Sequence, residues 1–248
     1  MHISIAANPV LELGPIHITN SLLASTVVLI ILWLVSLFAT RKMDLIPKGL
    51  QNAAEMGIEK LVSLVASIVH DKAYAAKIFP LIATFFIFIL ANSWFGLVPG
   101  VGTIGFNEVN AEGAHVMIPL LRAGTADLNT TVILGIIVVV MTQVFGIAAI
   151  GAFRYGKKFI NFSNPINFFV GIIELASELV RIISFAFRLF GNVFAGEVLL
   201  IVLGSIAPYI APIPFYAMEL FVGFIQALVF TMLALVFFSM ATINHEAH

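Results

Sequence analysis

One long apolar stretch decides the fold of this chain: residues 165–207 read PINFFVGIIELASELVRIISFAFRLFGNVFAGEVLLIVLGSIA. As a straight helix rising 1.5 Å per residue it would be about 64 Å long, twice the hydrocarbon core of a bilayer. The helix must therefore kink, lie strongly tilted, or begin along the membrane interface. The sequence PYIAPIP at 208–214 ends it, because proline cannot continue a helix.

The composition of the whole chain is that of a membrane protein. Of its 248 residues, 61% are hydrophobic and 10% are charged, against about 45–50% and about 25% in soluble domains. We therefore predict an all-α polytopic membrane protein with a single membrane domain. The net charge of −1 gives no support for nucleic acid as a partner. The chain has no cysteine, and its histidines lack metal-ligand spacing, so no metal and no cofactor are expected.

Four further apolar segments accompany the long stretch. A crossing needs about 20 apolar residues, which predicts spans at 21–40, 78–98 and 130–153 and a final helix at 215–243. The last helix and the long stretch form a tilted hairpin. Residues 47–72 contain an amphipathic helix, with Leu61, Leu64, Val65 and Ile68 at helical spacing, which we expect on the cytoplasmic interface.

The basic residues predict the orientation of the chain. Cytoplasmic loops carry an excess of lysine and arginine. With five crossings, most basic residues fall on one side, which is then cytoplasmic. They are Arg41, Lys42, Lys48, Lys60, Lys72, Lys77, Arg154, Lys157 and Lys158. Residues 1–20 and the loop 99–129, whose one basic residue is Arg122, would lie outside, and the C-terminus would be cytoplasmic.

A polar face runs along the long apolar stretch. Its members are separated by steps of three, four or seven residues, which places them on one side of a helix. They are Glu174, Arg181, Ser184, Arg188 and Asn192, with Glu178 at the edge. Glu174, Glu178 and Arg181 are four and three residues apart along the helix, so neighbouring members can pair locally, although Arg181 could also simply extend to the interface.

Arg188 is the residue on this face that most requires a function. A guanidinium stays charged, and at membrane depth it costs about 2.5–3.5 kcal/mol on insertion scales. No acidic residue stands three or four positions from it. Charges inside a membrane usually mark a transport path, so the sequence predicts that Arg188 meets a carboxylate from outside its own helix.

Two further acids lie beyond Arg188 along the hairpin. Glu197 follows it in the long stretch, and Glu219 stands in the last helix, seven residues before Gln226 and on the same face. Each acid could be a protonated group hydrogen-bonded to backbone. Counted in residues along the hairpin, both acids lie between the level of Arg188 and the turn at Pro208. We therefore favour a water-filled route that both acids line.

Short motifs occur in a fixed order along nearly the whole chain. They are Arg188-Leu189-Phe190-Gly191-Asn192 followed by Ala195-Gly196-Glu197; Pro47-Lys48-Gly49-Leu50-Gln51-Asn52 with Glu55; Asn92 with Gly96-Leu97-Val98-Pro99; Asp127-Leu128-Asn129-Thr130-Thr131; Gln226-Ala227; and Ser239-Met240-Ala241. Together with the hydropathy plan, this set resembles subunit a of F-type ATP synthases.

The resemblance implies a function for the polar residues. In that family, two aqueous half-channels lead to a rotating c-ring, whose subunits each carry one membrane-embedded carboxylate. Arg188 would face the ring and block a direct leak, and Ser184 would lie beside it. Glu197, Glu219 and Asn192 would line the outer half-channel, and Gln226 would hold Arg188 from the facing helix. Glu174, Glu178 and Arg181 are secondary candidates.

The resemblance also implies partners and a location. The chain would be a non-catalytic stator subunit, with the c-ring, the b subunits of the peripheral stalk and, through the holoenzyme, the F1 sector as partners. It would transport protons, with sodium as the alternative, and sit in membrane lipid. Acids at 197 and 219 are typical of bacterial or plastid chains, and we expect the bacterial plasma (inner) membrane rather than the thylakoid.

The chain departs from the family pattern near Arg181. Many bacterial relatives have proline at the position of Ile182, so a kink there is not predicted, and Glu178 is an additional acid. The main alternative is a free-standing secondary ion transporter, which commonly needs a repeat in both halves. The first 150 residues show no counterpart of the Arg188 segment. An intramembrane hydrolase is disfavoured because the sequence has no nucleophile elbow or zinc motif.

Overall fold

The computed structural model describes residues 7–13, 16–41, 49–69, 71–101, 104–109, 115–159, 165–207 and 211–242. Several predictions fall wholly or partly outside these residues and are not addressed by the structure. They concern the N-terminal residues 1–6, Lys42 and Lys48, the ends of the 47–72 segment, Pro208, and the chain from 243 onward.

The described residues form seven α-helices and two short β-hairpins. The helices are α1 (Asn20–Thr40), α2 (Leu50–Ile68), α3 (Lys72–Phe95), α4 (Leu128–Ile150), α5 (Ala152–Phe159), α6 (Pro165–Ile206) and α7 (Pro212–Ala241). The antiparallel hairpins pair β1 (Pro9–Leu13) with β2 (Ile16–Thr19) and β3 (Gly105–Val109) with β4 (His115–Pro119). Five helices, α1, α3, α4, α6 and α7, are long and apolar enough to cross a membrane. The predicted all-α polytopic fold is confirmed.

Some element boundaries differ from the predicted ones. The last helix begins at Pro212 instead of 215, because proline is tolerated in the first turn, where its missing N–H has no partner to lose. Helix α3 begins at Lys72, well before the predicted 78, and Asp71 caps it by accepting a hydrogen bond from the Ala73 N–H. The short helix α5 and both hairpins were not predicted, since their sequences are too short to show a clear period.

Helix α6 is continuous over its 42 residues. The choice among a kink, a strong tilt and a start along the membrane interface stays a prediction. Helix α2 turns Leu61 and Val65 inward, and the polar residues Glu59 and Ser63 are exposed. Its position on the cytoplasmic interface stays a prediction.

The core lies where α3, α4, α6 and α7 meet. Phe185 of α6 packs edge-to-face on Phe230 of α7, with ring centroids 4.7 Å apart, and Leu189 beside it is fully buried. Gly135 of α4 allows a close approach to α6, because a β-carbon there would lie 3.0 Å from the carbonyl oxygen of Ile182. An apolar layer thus fills the middle of the bundle.

The last part of the predicted outer loop is buried inside the bundle. We call residues 122–127 the buried loop segment; every one of them is buried. Asp127 accepts a hydrogen bond from Ser21 Oγ at 2.6 Å and caps α4 through the Asn129 N–H at 3.0 Å. Thr125 Oγ1 and Ser93 Oγ lie 3.3 Å apart. These polar contacts fix the segment between α1, α3 and α4.

Candidate functional site

Arg188 lies on the surface of α6. It is exposed, and its Nη2 donates a long hydrogen bond of 3.4 Å to Ser184 Oγ. The exposed apolar side chains of Val180 and Phe187 border its face of α6 on one side, about 80° and 100° around the helix axis. Within the described residues, no carboxylate forms an ion pair with Arg188. The chain therefore presents a permanent cation on the apolar surface of a membrane span.

The polar residues of α6 are arranged around its axis. At 3.6 residues per turn, each residue advances by about 100°. Asn192 is then within about 40° of Arg188, Gly196 is about 80° away, and Glu197 is about 180° away. Glu197 thus lies on the opposite side of α6 from Arg188. A path for protons between Glu197 and Arg188 must therefore pass around the helix. Gly196 lies at an angle between these two residues.

Glu197 forms an ion pair with Arg122 of the buried loop segment. Arg122 Nε lies 3.1 Å from Glu197 Oε2, and the two side chains are 7% and 34% exposed. The guanidinium carbon also lies 5.5 Å from the ring centroid of Phe194, within range of a cation–π contact. Sequence reasoning missed this partner. The available signal was that Arg122 is the one basic residue of its loop.

Glu219 enters the hairpin interface opposite Gly196. It is 6% exposed, and no hydrogen bond or ion pair joins it to another residue that the structure describes. Its carboxylate occupies the space that a β-carbon on Gly196 would fill. The glycine therefore leaves room for the acid of α7 to reach the side of α6 that lies between Glu197 and Arg188.

Gln226 bridges the hairpin through Asn192. Asn192 Nδ2 donates to Gln226 Oε1 at 2.6 Å. In the structure the Gln226 carboxamide is turned to Asn192, and its expected contact with Arg188 stays a prediction. Gln226 is buried, and its Nε2 has no hydrogen-bond partner among the described residues. A buried donor without a partner is costly.

These groups form one sequence of polar residues around α6, which we call the first polar route. It begins at the Arg122–Glu197 pair, passes Glu219 at Gly196, and continues through the Asn192–Gln226 bridge to the side of the helix that carries Arg188.

A second group of polar residues lies nearer the start of α6. Arg181 Nη1 forms an ion pair with Glu178 Oε2 at 2.7 Å, which confirms the predicted local pairing. The Arg181 guanidinium also stacks 4.0 Å above the ring of Phe237 from α7. These contacts show that Arg181 does more than extend to the interface. Glu178 is buried, although its pairing partner is partly exposed.

Two open cavities with shared lining residues lie between this second group and Arg188. The first, of about 120 Å³, is lined by residues that include Glu174, Glu178, Arg181 and Tyr155. The second, of about 260 Å³, is lined by Arg181, Ser184 and Arg188 among others. Arg181 and Phe237 border both cavities. We call this path the second polar route.

Tyr155 lines the first cavity. It projects from α5, is buried, and its ring fills the space beside Gly146 of α4. Burial raises the pKa of Tyr155 above its ordinary value, the negative charges of Glu178 and Glu174 raise it further, and Arg181 partly opposes them. Tyr155 therefore stays a neutral hydroxyl at physiological pH, able to donate a proton in a hydrogen bond. Sequence reasoning did not select it.

Comparison with known proteins identifies the family. The sequence profile described as ATP synthase A chain matches residues 21–239. The chain belongs to the ATP synthase A chain family. Among its relatives, the ATP synthase subunit a of Campylobacter jejuni (strain 81116) is 34% identical over 218 residues, which cover 87% of this chain and 86% of the relative.

More distant relatives carry the same name. The ATP synthase subunit a of Moorella thermoacetica is 32% identical over 92% of this chain and 93% of its own length. That of Campylobacter fetus is 31% identical over 94% of each chain. The resemblance inferred from the motifs is confirmed: the chain is an integral membrane subunit a of the F0 sector of an ATP synthase. This family assignment takes precedence over the secondary transporter and the hydrolase.

Proposed function

We propose that this subunit a carries protons to and from a rotating c-ring along two separate routes that meet the ring on either side of Arg188. The observation that carries the proposal is the exposed Arg188, a cation on an apolar helix surface with no carboxylate partner in the described chain. A charge so placed needs an opposite charge from another subunit.

The chemistry of Arg188 suits a passing carboxylate. A nearby cation favours the ionised form of an acid, so a ring carboxylate that reaches Arg188 gives up its proton. The guanidinium also repels protons moving directly from one route to the other. Each proton must therefore travel with the ring, and the membrane potential contributes about 2.3 kcal/mol per charge per 100 mV.

The first polar route would deliver protons from outside the cell. Glu197 is a third exposed and reachable by water, Glu219 crosses the hairpin at Gly196, and Asn192 with Gln226 leads to the ring-facing side. Carboxylates can take up and release protons, while the two amides orient the water between them. The assigned direction rests on the basic residues, which predict that this end of the bundle is outside.

The second polar route would release protons to the cytoplasm. One of its cavities is lined by Glu174, Glu178 and Arg181, and the other by Arg181, Ser184 and Arg188. Leu189 and Phe230, which line neither cavity, are buried and apolar. A dry layer of this kind opposes a continuous water path within the subunit, so it supports the separation that coupling requires.

The remaining parts of the proposal concern the assembly. The c-ring would cover the Arg188 face, and the b subunits would bind elsewhere on the bundle. ATP chemistry would take place on the F1 sector, so this subunit would itself be non-catalytic. We assign it to a bacterial plasma membrane, with the N-terminus outside and the C-terminus in the cytoplasm.

Cross-linking in the holoenzyme tests which face meets the ring. The chain has no native cysteine, so single cysteines can be placed at Ala195, which is exposed and about 20° from Arg188 around α6, and, as a control, at Val144 of α4, which is also exposed. A second cysteine is placed next to the ring carboxylate. We expect disulfide formation with Ala195→Cys and none with Val144→Cys. The reverse pattern, or no cross-link at either position, would contradict the proposal.

A further inference from the structure

We propose that Arg122 is a positioning residue for proton transfer: the buried loop segment brings its guanidinium to Glu197 and fixes the carboxylate at the entrance of the first polar route. The inference deepens the proposed function and rests on it, because Glu197 has to be part of a working route.

The buried loop segment is a rigid support for Arg122. Thr125 and Ala126 are fully buried, and Asp127 is held by Ser21 of α1 at 2.6 Å. Gly124 lies so close to Ser25 that a β-carbon there would overlap the hydroxyl group. A segment packed this tightly against α1, α3 and α4 cannot move without disturbing several buried polar contacts. The backbone of Arg122 is therefore fixed relative to the bundle.

The side chain of Arg122 is also held in place. It is nearly fully buried, with its Nε 3.1 Å from Glu197 Oε2 and its guanidinium near the ring of Phe194, one helical turn before Glu197. A planar guanidinium binds a carboxylate in a defined direction, which a flexible ammonium does not. The orientation of Glu197 is thus set by a residue from a distant part of the sequence.

Arg122 and Glu197 differ in what they can do. The guanidinium remains charged and cannot pass on a proton, whereas the carboxylate can, and its side chain is 34% exposed. Glu197 also lies on the far side of α6 from Arg188, so a proton it accepts must be directed toward Glu219 and Gly196. Arg122 acts by holding Glu197 in that direction. It is not itself a relay group.

A double-mutant cycle in the holoenzyme tests the inference. The variants are Arg122→Gln, Glu197→Gln and the double variant, with Arg41→Gln, an exposed arginine at the end of α1, as the control. ATP-driven proton pumping into membrane vesicles is measured at equal amounts of assembled subunit a. We expect Arg122→Gln to slow pumping at least about fivefold alone and less than about twofold in the Glu197→Gln background, because contacting charges couple by 0.5–3 kcal/mol.

A conservative variant separates positioning from general support of the fold. Arg122→Lys keeps the charge but loses the directed N–H, so we expect a rate between those of Arg122→Gln and the unmodified protein. If Arg122→Gln fails to assemble, Arg122→Lys and Arg122→Lys/Glu197→Gln complete the same cycle.

Three outcomes would overturn the inference: normal pumping in Arg122→Gln, an equal loss with and without Glu197, or no recovery with lysine. Failure of the proposed function is distinguishable from these results, because Glu197→Gln alone would then pump at the normal rate.

Discussion

The carboxylate of Glu219 lies in the space that a side chain on Gly196 would occupy. This relationship joins the two arms of the hairpin at the point where the first polar route passes around α6. Glycine is needed here for space, since the helix itself would be more stable with alanine by up to about 1 kcal/mol. The first polar route therefore depends on glycine at position 196 as well as on the polar side chains.

We predict that Gly196→Ala slows proton pumping while the subunit still assembles. The new methyl group would displace the end of the flexible Glu219 side chain and leave the backbone in place, so the fold should be retained. Gly204→Ala is the matched control, because no atom lies within 4 Å of a β-carbon placed there. Pumping rates are compared at equal subunit a content. Equal rates in the two variants would show that Glu219 does not use this space.

We predict that Gln226→Leu slows pumping by between about twofold and tenfold, the range expected for the loss of one hydrogen bond worth 0.5–1.5 kcal/mol. Leucine is similar in size to glutamine but cannot accept the 2.6 Å hydrogen bond from Asn192. Gln143→Leu in α4 serves as the control. The bridge would have no function in transport if pumping by Gln226→Leu matched that of the control.

We predict that Glu178→Gln slows pumping several-fold without making vesicles leaky to protons. The change removes the 2.7 Å ion pair and leaves Arg181 beside a cavity without its counter-charge, while the stacking of Arg181 on Phe237 remains. Glu59→Gln, on the exposed side of α2, is the control. Passive proton permeability is measured in the same vesicles. An unchanged pumping rate would remove Glu178 from the second polar route.

The parts of the structure set by local sequence were predictable. Each span needs only a run of about 20 apolar residues, and the Glu178–Arg181 pair needs only a spacing of three on one helix. The contact of Glu197 with Arg122 joins residues 75 positions apart. No periodicity along one helix reveals such a pair, because it depends on how the loop packs into the bundle.

Contacts between the two helices of the hairpin were also not predictable from the sequence. The sequence placed Asn192 and Gln226 on the facing sides of two helices, but it did not give the register between those helices. In the structure that register joins Gln226 to Asn192, and Arg188 has no carboxylate partner among the residues that the structure describes. The two short β-hairpins and α5 carry too few residues for a pattern to be read.

We predict that the two polar routes open to opposite sides of the membrane. In a chain without native cysteine, Glu219→Cys should react with a membrane-impermeant thiol reagent or silver ion added from outside, and Glu178→Cys should react from the cytoplasmic side. Ile30→Cys, on the apolar exposed side of α1, should react from neither. The opposite pattern would show that the orientation is inverted, and reaction of both route positions from one side would exclude two separate routes.

The measurement that tests the central claim most directly is coupled transport by Arg188→Ala in the assembled holoenzyme. Because Arg188 is exposed and makes only one long hydrogen bond within the described chain, its loss should leave the subunit inserted and assembled. We expect ATP-driven proton pumping and ATP synthesis to be abolished, and Arg188→Lys to fail badly as well, since an ammonium lacks the planar reach of guanidinium. Pumping and synthesis at normal rates in Arg188→Ala would contradict the account.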